Sequence, residues 1–267
     1  MKLIVKPHEM QREALAWRQS SKRIALVPTM GALHEGHLSL VERAKKDVDV
    51  IVLSIYVNPT QFAPKEDFDK YPRAQKEDLR LAQSAGVDVV FMPSSLYRDD
   101  SSTWVVEKEL SKGRCGDSRP GHFEGVATVI AKLFMLVQPH IAIFGQKDAQ
   151  QCDVIERMAR DLYFPIKIMR VQIVRDKQGL ALSSRNQYLS EDQYNVALKI
   201  PEILQAARKR FTDSETKQCE KWVESQFKKV KGLRLEYVSI ASGFLCVAVL
   251  VGETRLLDNV KLSRKLS

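Results

Sequence analysis

The chain has 267 residues, of which 44% are apolar and 28% charged. That is enough length for a real core, too many hydrophobes for intrinsic disorder, and too much charge for a bundle of membrane spans. Its 42 basic residues against 33 acidic ones leave +9, an excess that points to nucleic acid only where it is concentrated on one face with aromatics to stack bases. From Lys199 onward 14 basic residues stand against 8 acidic ones, a net of +6, so most of the excess is C-terminal. Lys2, Lys6, His8 and Glu9 interrupt any apolar leader at the start. The longest apolar run, 244–251, is far shorter than the roughly 20 residues of a membrane-spanning helix. Cys115, Cys152, Cys219 and Cys246 are scattered, with no C-x-x-C pair for zinc or redox work. The expectation is a cytoplasmic protein with no membrane attachment.

In chain order, apolar runs at 23–27, 48–57, 87–92, 140–144 and 166–174 predict strands. Amphipathic stretches at 38–46, 76–85, 125–137 and 149–162 predict the helices between them. This alternation predicts an α/β fold, a Rossmann-like parallel sheet with helices on both faces and ligands bound beyond the carboxyl ends of the strands. After residue 174 the pattern changes. A polar turn at 175–179 precedes two charged helices, 191–210 and 216–229, and an antiparallel strand pair, 233–240 and 244–251. A small α+β second domain is therefore expected from residue 176 to 267, after a first domain over 1–175.

Three clusters carry chemistry. The strand at 23–27 runs into Pro28-Thr29-Met30-Gly31-Ala32-Leu33-His34-Glu35-Gly36-His37 and then a helix. The glycines allow close backbone approach, the helix N-terminus attracts an anion, and two histidines three apart face the same way on a helical turn. That pattern suits phosphate oxygens and the charge that develops on them. A zinc site would need a third ligand, and His8, His122 and His140 stand in no helical spacing with the pair. At the end of the strand at 140–144, Gly145-Gln146-Lys147-Asp148 offers a cation to the same sheet edge, and Gln151 follows one turn later. Leu182-Ser183-Ser184-Arg185-Asn186 adds two hydroxyls and a guanidinium. Taken alone, Lys147 reads as a solvated charge and Ser183–Arg185 as a helix-capping turn. Three such clusters in one alternating chain favour a phosphate site.

The His34-Glu35-Gly36-His37 element, with 182–185 in the place of a K-M-S-K-S-like loop, resembles the nucleotidyltransferase and class I aminoacyl-tRNA synthetase superfamily. More specifically, PTMGALHEGH (28–37), YVNPTQF (56–62), EDFDKYPR (66–73), SRPGHFEGVATVI (118–130), FGQKDAQQ (144–151), LSSRNQYLS (182–190) and GETRLLDN (252–259) resemble the pantothenate synthetase (pantoate:β-alanine ligase) family, in order and to Asn259.

The resemblance implies ATP-dependent condensation of pantoate with β-alanine through a pantoyl adenylate, with release of pyrophosphate and AMP. It implies ATP contacts from Met30, Gly31, Ala32, Leu33, His34, Glu35, Gly36 and His37, then Gly145, Gln146, Lys147 and Asp148, then Val174, Leu182, Ser183, Ser184 and Arg185. His37, His34 and Lys147 would be catalytic, with His37 as a proton donor. Gln61 and Gln151 would grip pantoate, Gln61 would also meet β-alanine, and Asn58 and Tyr71 would complete that pocket. Magnesium is implied with the polyphosphate, most of its ligands phosphates and waters, and a homodimer is implied as the assembly. Glu77 and Asp78 stand between outer partners of the metal and a carboxylate pair solvated on its helix. Arg73, Arg119 and His122 stand between structural and substrate roles. The sequence departs from the family at 237–243, where a strand leads at once into the next apolar run, so the second domain, the lid over the adenylate, reads as shortened.

Two rivals remain. One is a related adenylate-forming ligase or nucleotidyltransferase acting on another small acid. The other is an RNA-binding protein on the same fold, but Phe211, Trp222 and Phe227 are spaced like the buried side of amphipathic helices. No nucleic acid is expected as a partner.

Overall fold

The computed structural model describes residues 1–64 and 66–263, so 264–267 of the expected second domain lie outside the described residues. The chain divides into two compact units: Met1–Gln146 with Gln150–Gln172, and Lys147–Ala149 with the chain from Ile173 onward.

The first unit is built on six strands, β1 (Lys2–Ile4), β2 (Ile24–Thr29), β3 (Val50–Ile55), β4 (Val89–Phe91), β5 (Ile141–Gly145) and β6 (Lys167–Val171). They pair in the order β1-β4-β3-β2-β5-β6, every pair parallel. Helices α1 (Pro7–Gln19), α2 (Glu35–Ala44), α3 (Gln75–Ser84), α4 (Cys115–Ser118), α5 (His122–Val137) and α6 (Ala149–Asp161) connect or flank them. Strands covered on both faces need no polar alternation, and β3 is buried at all of its positions. Ala25 and Val27 of β2 join Ile51, Leu53 and Ile143 in one core with Leu40, Val41 and Ala44 of α2 and Ala82 of α3. The alternate residues Ile24, Leu26 and Val52 are equally buried and point to the opposite face. There α1 and α5 pack on each other and against β2.

The strand order reverses between β2 and β5. From β2 the chain proceeds to β3 and β4 on one side, and from β5 to β6 on the other, which opens a crevice at their carboxyl ends. The predicted motif at 28–37 and the start of the one at 144–151 leave the sheet at this point.

The second unit contains a hairpin-like turn closed by the Leu182 N–H on the Val174 carbonyl (3.0 Å). Helices α7 (Glu191–Ala197), α8 (Lys199–Arg210) and α9 (Thr216–Phe227) follow, then strands β7 (Leu233–Ala241), β8 (Phe244–Val251) and β9 (Thr254–Lys261). The strands form an antiparallel sheet in the order β7-β8-β9. Its core joins Leu204, Ala207, Val223 and Phe227 of the helices to Leu245, Val247, Val249 and Leu256 of the sheet.

Besides leaving the short helix α4 unassigned, the sequence reading differs from this fold in three larger respects. It assigns no element before residue 23, where β1 and α1 occur. Pro7 at the first helical position, with Met10 and Ala14 fully buried four residues apart, accounts for α1. The predicted helix 191–210 is two helices meeting at Leu198, because Pro201 lacks an amide donor and its ring blocks the carbonyl four residues earlier. It is accommodated in the first turn of α8. The strand pair gains β9, whose alternation is obscured because Leu256, Asp258, Asn259 and Val260 are all buried.

Among the described residues no helix is long and apolar enough to cross a membrane. All four cysteines are buried thiols without a disulfide.

Candidate active site

The β2–α2 turn is held from below by one carboxylate. Asp78 of α3, 2% exposed, accepts the Ala32 N–H (3.0 Å) and the Leu33 N–H (2.7 Å). Burial pushes the Asp78 carboxyl up from its ordinary range, partly offset by these two backbone bonds. Gly31 has φ +85°, and a Cβ there would lie 2.9 Å from the Asp78 carboxylate and 3.1 Å from Ile55. The glycine is thus required twice, by backbone conformation and by contact.

His34 caps α2. Its Nδ1 accepts the Gly36 N–H (3.1 Å), and the His37 Nδ1 accepts the His34 N–H (3.3 Å), a reciprocal capping box. A backbone N–H can only donate, so each neutral ring carries its proton on Nε2. The two rings lie 4.1 Å apart, centroid to centroid. The pair is a matched set of Nε2 donors at a helix N-terminus, where the backbone already favours an anion.

The 3-10 turn Pro59–Gln61 brings the predicted amides together with this loop. Asn58, 1% exposed, donates from Nδ2 to Gln61 Oε1 (3.2 Å) and to the Gly125 carbonyl (3.1 Å). The Gln61 Nε2 reaches Met30 Sδ at 3.0 Å, so a candidate substrate residue and a candidate nucleotide residue are in contact. Tyr71 is buried with its ring edge-on to Phe62, centroids 5.8 Å apart. Gln151, on α6, is half-buried.

Arg73, Arg119 and His122 each meet protein groups. Arg73 donates to the carbonyls of Phe68, Asp69 and Tyr71 and so ties the loop that carries Tyr71. Arg119 forms a two-pronged pair with Glu66, both bonds 2.6 Å, and also donates to the Gln61 carbonyl. His122 contacts that same carbonyl at 2.7 Å. Glu77 pairs with Arg80 at the surface, whereas Asp78 has both oxygens committed to the β2–α2 turn. Sequence reasoning missed Asp78 as the anchor of that turn and Gln150, which is buried and binds the carbonyls of Leu110, Lys112 and Gly113. Neither position lies in a pattern that local periodicity would single out.

In the second unit, Lys147 Nζ lies 3.6 Å from Asp148. Its backbone is fixed from the string 252–259: Asn259 Nδ2 donates to the Lys147 carbonyl (3.1 Å). The neighbouring Asp258, buried, takes a two-pronged bond from Arg175 at 2.7 and 2.8 Å. Burial raises the Asp258 carboxyl, and the Arg175 bonds oppose that rise. Ser183 caps the 3-10 turn Ser184–Tyr188 by accepting the Arg185 N–H (3.3 Å), so the capping role weighed from sequence is present. Asn186 Nδ2 bonds the Ala181 carbonyl (3.0 Å) and closes the loop on its own stem.

Comparison with known proteins places the chain in a family. The pantoate-β-alanine ligase family model matches residues 2–261. The pantothenate synthetase of Sulfurihydrogenibium sp. (strain YO3AOP1) is 45% identical over 281 residues, covering 98% of this chain and 100% of that protein. That of Thermotoga petrophila is 45% identical over 280 residues, covering 97% and 99%. Among solved structures, a pantothenate synthetase from Thermus thermophilus has TM-score 0.90 and 38% identity over 98% of this chain and 100% of that one. A pantoate-β-alanine ligase from Francisella tularensis, complexed with β-γ ATP and β-alanine, has TM-score 0.85 and 34% identity over 98% and 97%. With the family model spanning nearly the whole sequence and relatives matched end to end, this chain belongs to the pantoate-β-alanine ligase family.

Proposed function

We propose that the chain makes pantothenate from pantoate and β-alanine in two ATP-driven half-reactions. In the first, a pantoate carboxylate oxygen bonds to the α-phosphorus of ATP and pyrophosphate leaves. In the second, the β-alanine amine bonds to the acyl carbon, AMP leaves, and the amine proton is lost to solvent. The observation that carries this reading is the His34–His37 pair, two Nε2 donors at the N-terminus of α2, on the loop whose Met30 sulfur the Gln61 amide contacts. ATP as co-substrate is supported by the ATP complex of the Francisella relative.

In this reading the 30–37 loop, with Gly145 and Gln146, lines the nucleotide. His37 and His34 donate to phosphate oxygens as charge develops on the departing pyrophosphate, and Lys147 neutralises that charge. Asp148, Val174, Leu182, Ser183, Ser184 and Arg185 supply the remaining nucleotide contacts. Gln61, Gln151, Asn58 and Tyr71 hold pantoate and then β-alanine. Amides suit the task, because they orient a carboxylate without an added charge that would blunt its nucleophilicity.

Among the described residues no group of three or more His, Cys, Asp or Glu side chains is arranged to hold a metal ion. Magnesium in this proposal enters with ATP as the substrate complex, coordinated by phosphate oxygens and water. A cytoplasmic homodimer completes the reading, following the family, and sedimentation of the purified chain tests the assembly.

The test is pyrophosphate release with ATP, magnesium and pantoate. His37→Ala and Lys147→Ala are expected to lower the rate by roughly a hundredfold or more while circular dichroism stays that of the parent. Unchanged rates in folded variants overturn the assignment. Activity with other acid and amine pairs but not with pantoate and β-alanine would favour the broader ligase reading.

A further inference from the structure

The Gln61 carbonyl is gripped by two donors. His122 contacts it through Nδ1 at 2.7 Å and Arg119 through Nη2 at 3.2 Å. The carbonyl can only accept, so the His122 Nδ1 carries a proton. The other ring nitrogen, Nε2, lies 3.0 Å from Arg119 Nη1, and a guanidinium can only donate. Nε2 is therefore an acceptor, and the ring is neutral in one defined tautomer. His122 is 7% exposed and Arg119 9%, so both are buried with their polar atoms committed. Glu66 completes the chain of bonds by taking Arg119 Nε and Nη2 on its two oxygens. Burial pushes the Glu66 carboxyl up, but the Arg119 hydrogen bonds and charge outweigh it and hold the group below its usual range.

We propose that His122 is a positioning residue for the Gln61 carboxamide, acting through the Gln61 carbonyl, with Arg119 and Glu66 holding its tautomer. Two donors on one carbonyl fix the plane of the peptide that follows Gln61, and with it the direction in which the side chain leaves the backbone. That direction delivers the carboxamide to Asn58 Nδ2 and Met30 Sδ, against the nucleotide loop. A histidine is suited to this place because its two nitrogens serve opposite roles, donor to the carbonyl and acceptor from the guanidinium. A Lys or second Arg would offer only donors, and a carboxylate only acceptors.

This inference rests on the proposed assignment of Gln61 to the pantoate subsite, so the experiment includes Gln61→Ala. Pantoate-dependent pyrophosphate release is measured for the parent, Gln61→Ala, His122→Phe and His122→Asn, with folding followed by circular dichroism and thermal unfolding. His122→Phe keeps a ring beside Phe123, whose centroid lies 4.8 Å from that of His122, but removes both polar functions. It is expected to raise the pantoate KM roughly 10- to 100-fold, as a displacement of about an ångström does in a positioned site, with the ATP KM within about twofold. His122→Asn keeps an N–H near the Nδ1 position and is expected to recover most of the loss. A folded His122→Phe with a pantoate KM within about twofold of the parent overturns the proposal, as does a rise in both KM values alike. If Gln61→Ala itself leaves the pantoate KM unchanged, the subsite assignment falls and the positioning role with it. Should His122→Phe fail to fold, Glu66→Gln, which weakens the hold on Arg119, is expected to raise the pantoate KM severalfold. An unchanged value there overturns the proposal.

Discussion

Asp78 stands on α3, more than forty residues from the loop it organises, yet it provides the two acceptors that the Ala32 and Leu33 amides need. Burying those amides without partners would cost about 1–3 kcal/mol each. Asp78→Asn replaces one acceptor oxygen by an NH2 that faces a backbone donor, at nearly constant volume. The expected result is a tenfold or larger rise in the ATP KM, with a smaller effect on the pantoate KM, measured by pyrophosphate release. A variant with parental ATP KM would mean that the 30–37 loop keeps its shape without this anchor. The same logic separates Asp78 from its neighbour Glu77, whose pair with Arg80 lies at the surface and contributes little.

Among the elements, α5 is the one whose placement decides most about the substrate amides. It is apolar on nearly all sides and buried along most of its length, so it cannot move to accommodate a bulkier contact. Gly125 sits where it meets the Pro59–Gln61 turn, and a Cβ there would stand 2.3 Å from the Thr60 carbonyl oxygen and 2.7 Å from the Gln61 nitrogen. Gly125→Ala must therefore push the turn aside. The pantoate-dependent rate is expected to fall by roughly a hundredfold while ATP binding, followed by fluorescence of a nucleotide analogue, stays near the parent value. Retention of the parental rate would show that the turn shifts without carrying Gln61 with it. Helices α7 and α8 are set by a different cause. One amphipathic pattern covers both, and the interruption follows from a single residue, Pro201, whose ring forbids a continuous helix.

At the scale of the whole molecule, the chain makes two compact units, and the string 252–259 fastens Lys147 to the second of them through Asn259. Under the proposed chemistry, a lid role for this second unit has a measurable consequence, because a pantoyl adenylate is a mixed anhydride that water destroys. AMP release with ATP and pantoate alone is expected to be at least tenfold slower than with β-alanine added. Equal rates would mean that the second unit does not protect the intermediate. Asn259→Ala, which frees the Lys147 backbone, is expected to lower the pyrophosphate-release rate with little change in the pantoate KM.

The alternating α/β order, the place of the His34–His37 turn after a buried strand, and the family were all legible in the residues alone, because they depend on local periodicity and on contiguous motifs. Gly31 and Ser183 likewise lie in patterns whose local meaning, a tight turn and a cap, holds in the folded chain. Helix α1 is written in Pro7, Met10 and Ala14, although the charges beside them draw the eye first as breaks in a leader. Folding was needed to reveal which side chains hold the site in shape. Arg119 and His122 read equally as structural or substrate-facing until their bonds to Glu66 and Gln61 were in view. Asp78 read as one of a pair of solvated carboxylates until Ala32 and Leu33 came to rest on it. Those bonds join residues more than forty positions apart. Periodicity reports the face a residue turns toward the core, but not which distant backbone group the folded chain will bring within hydrogen-bonding reach.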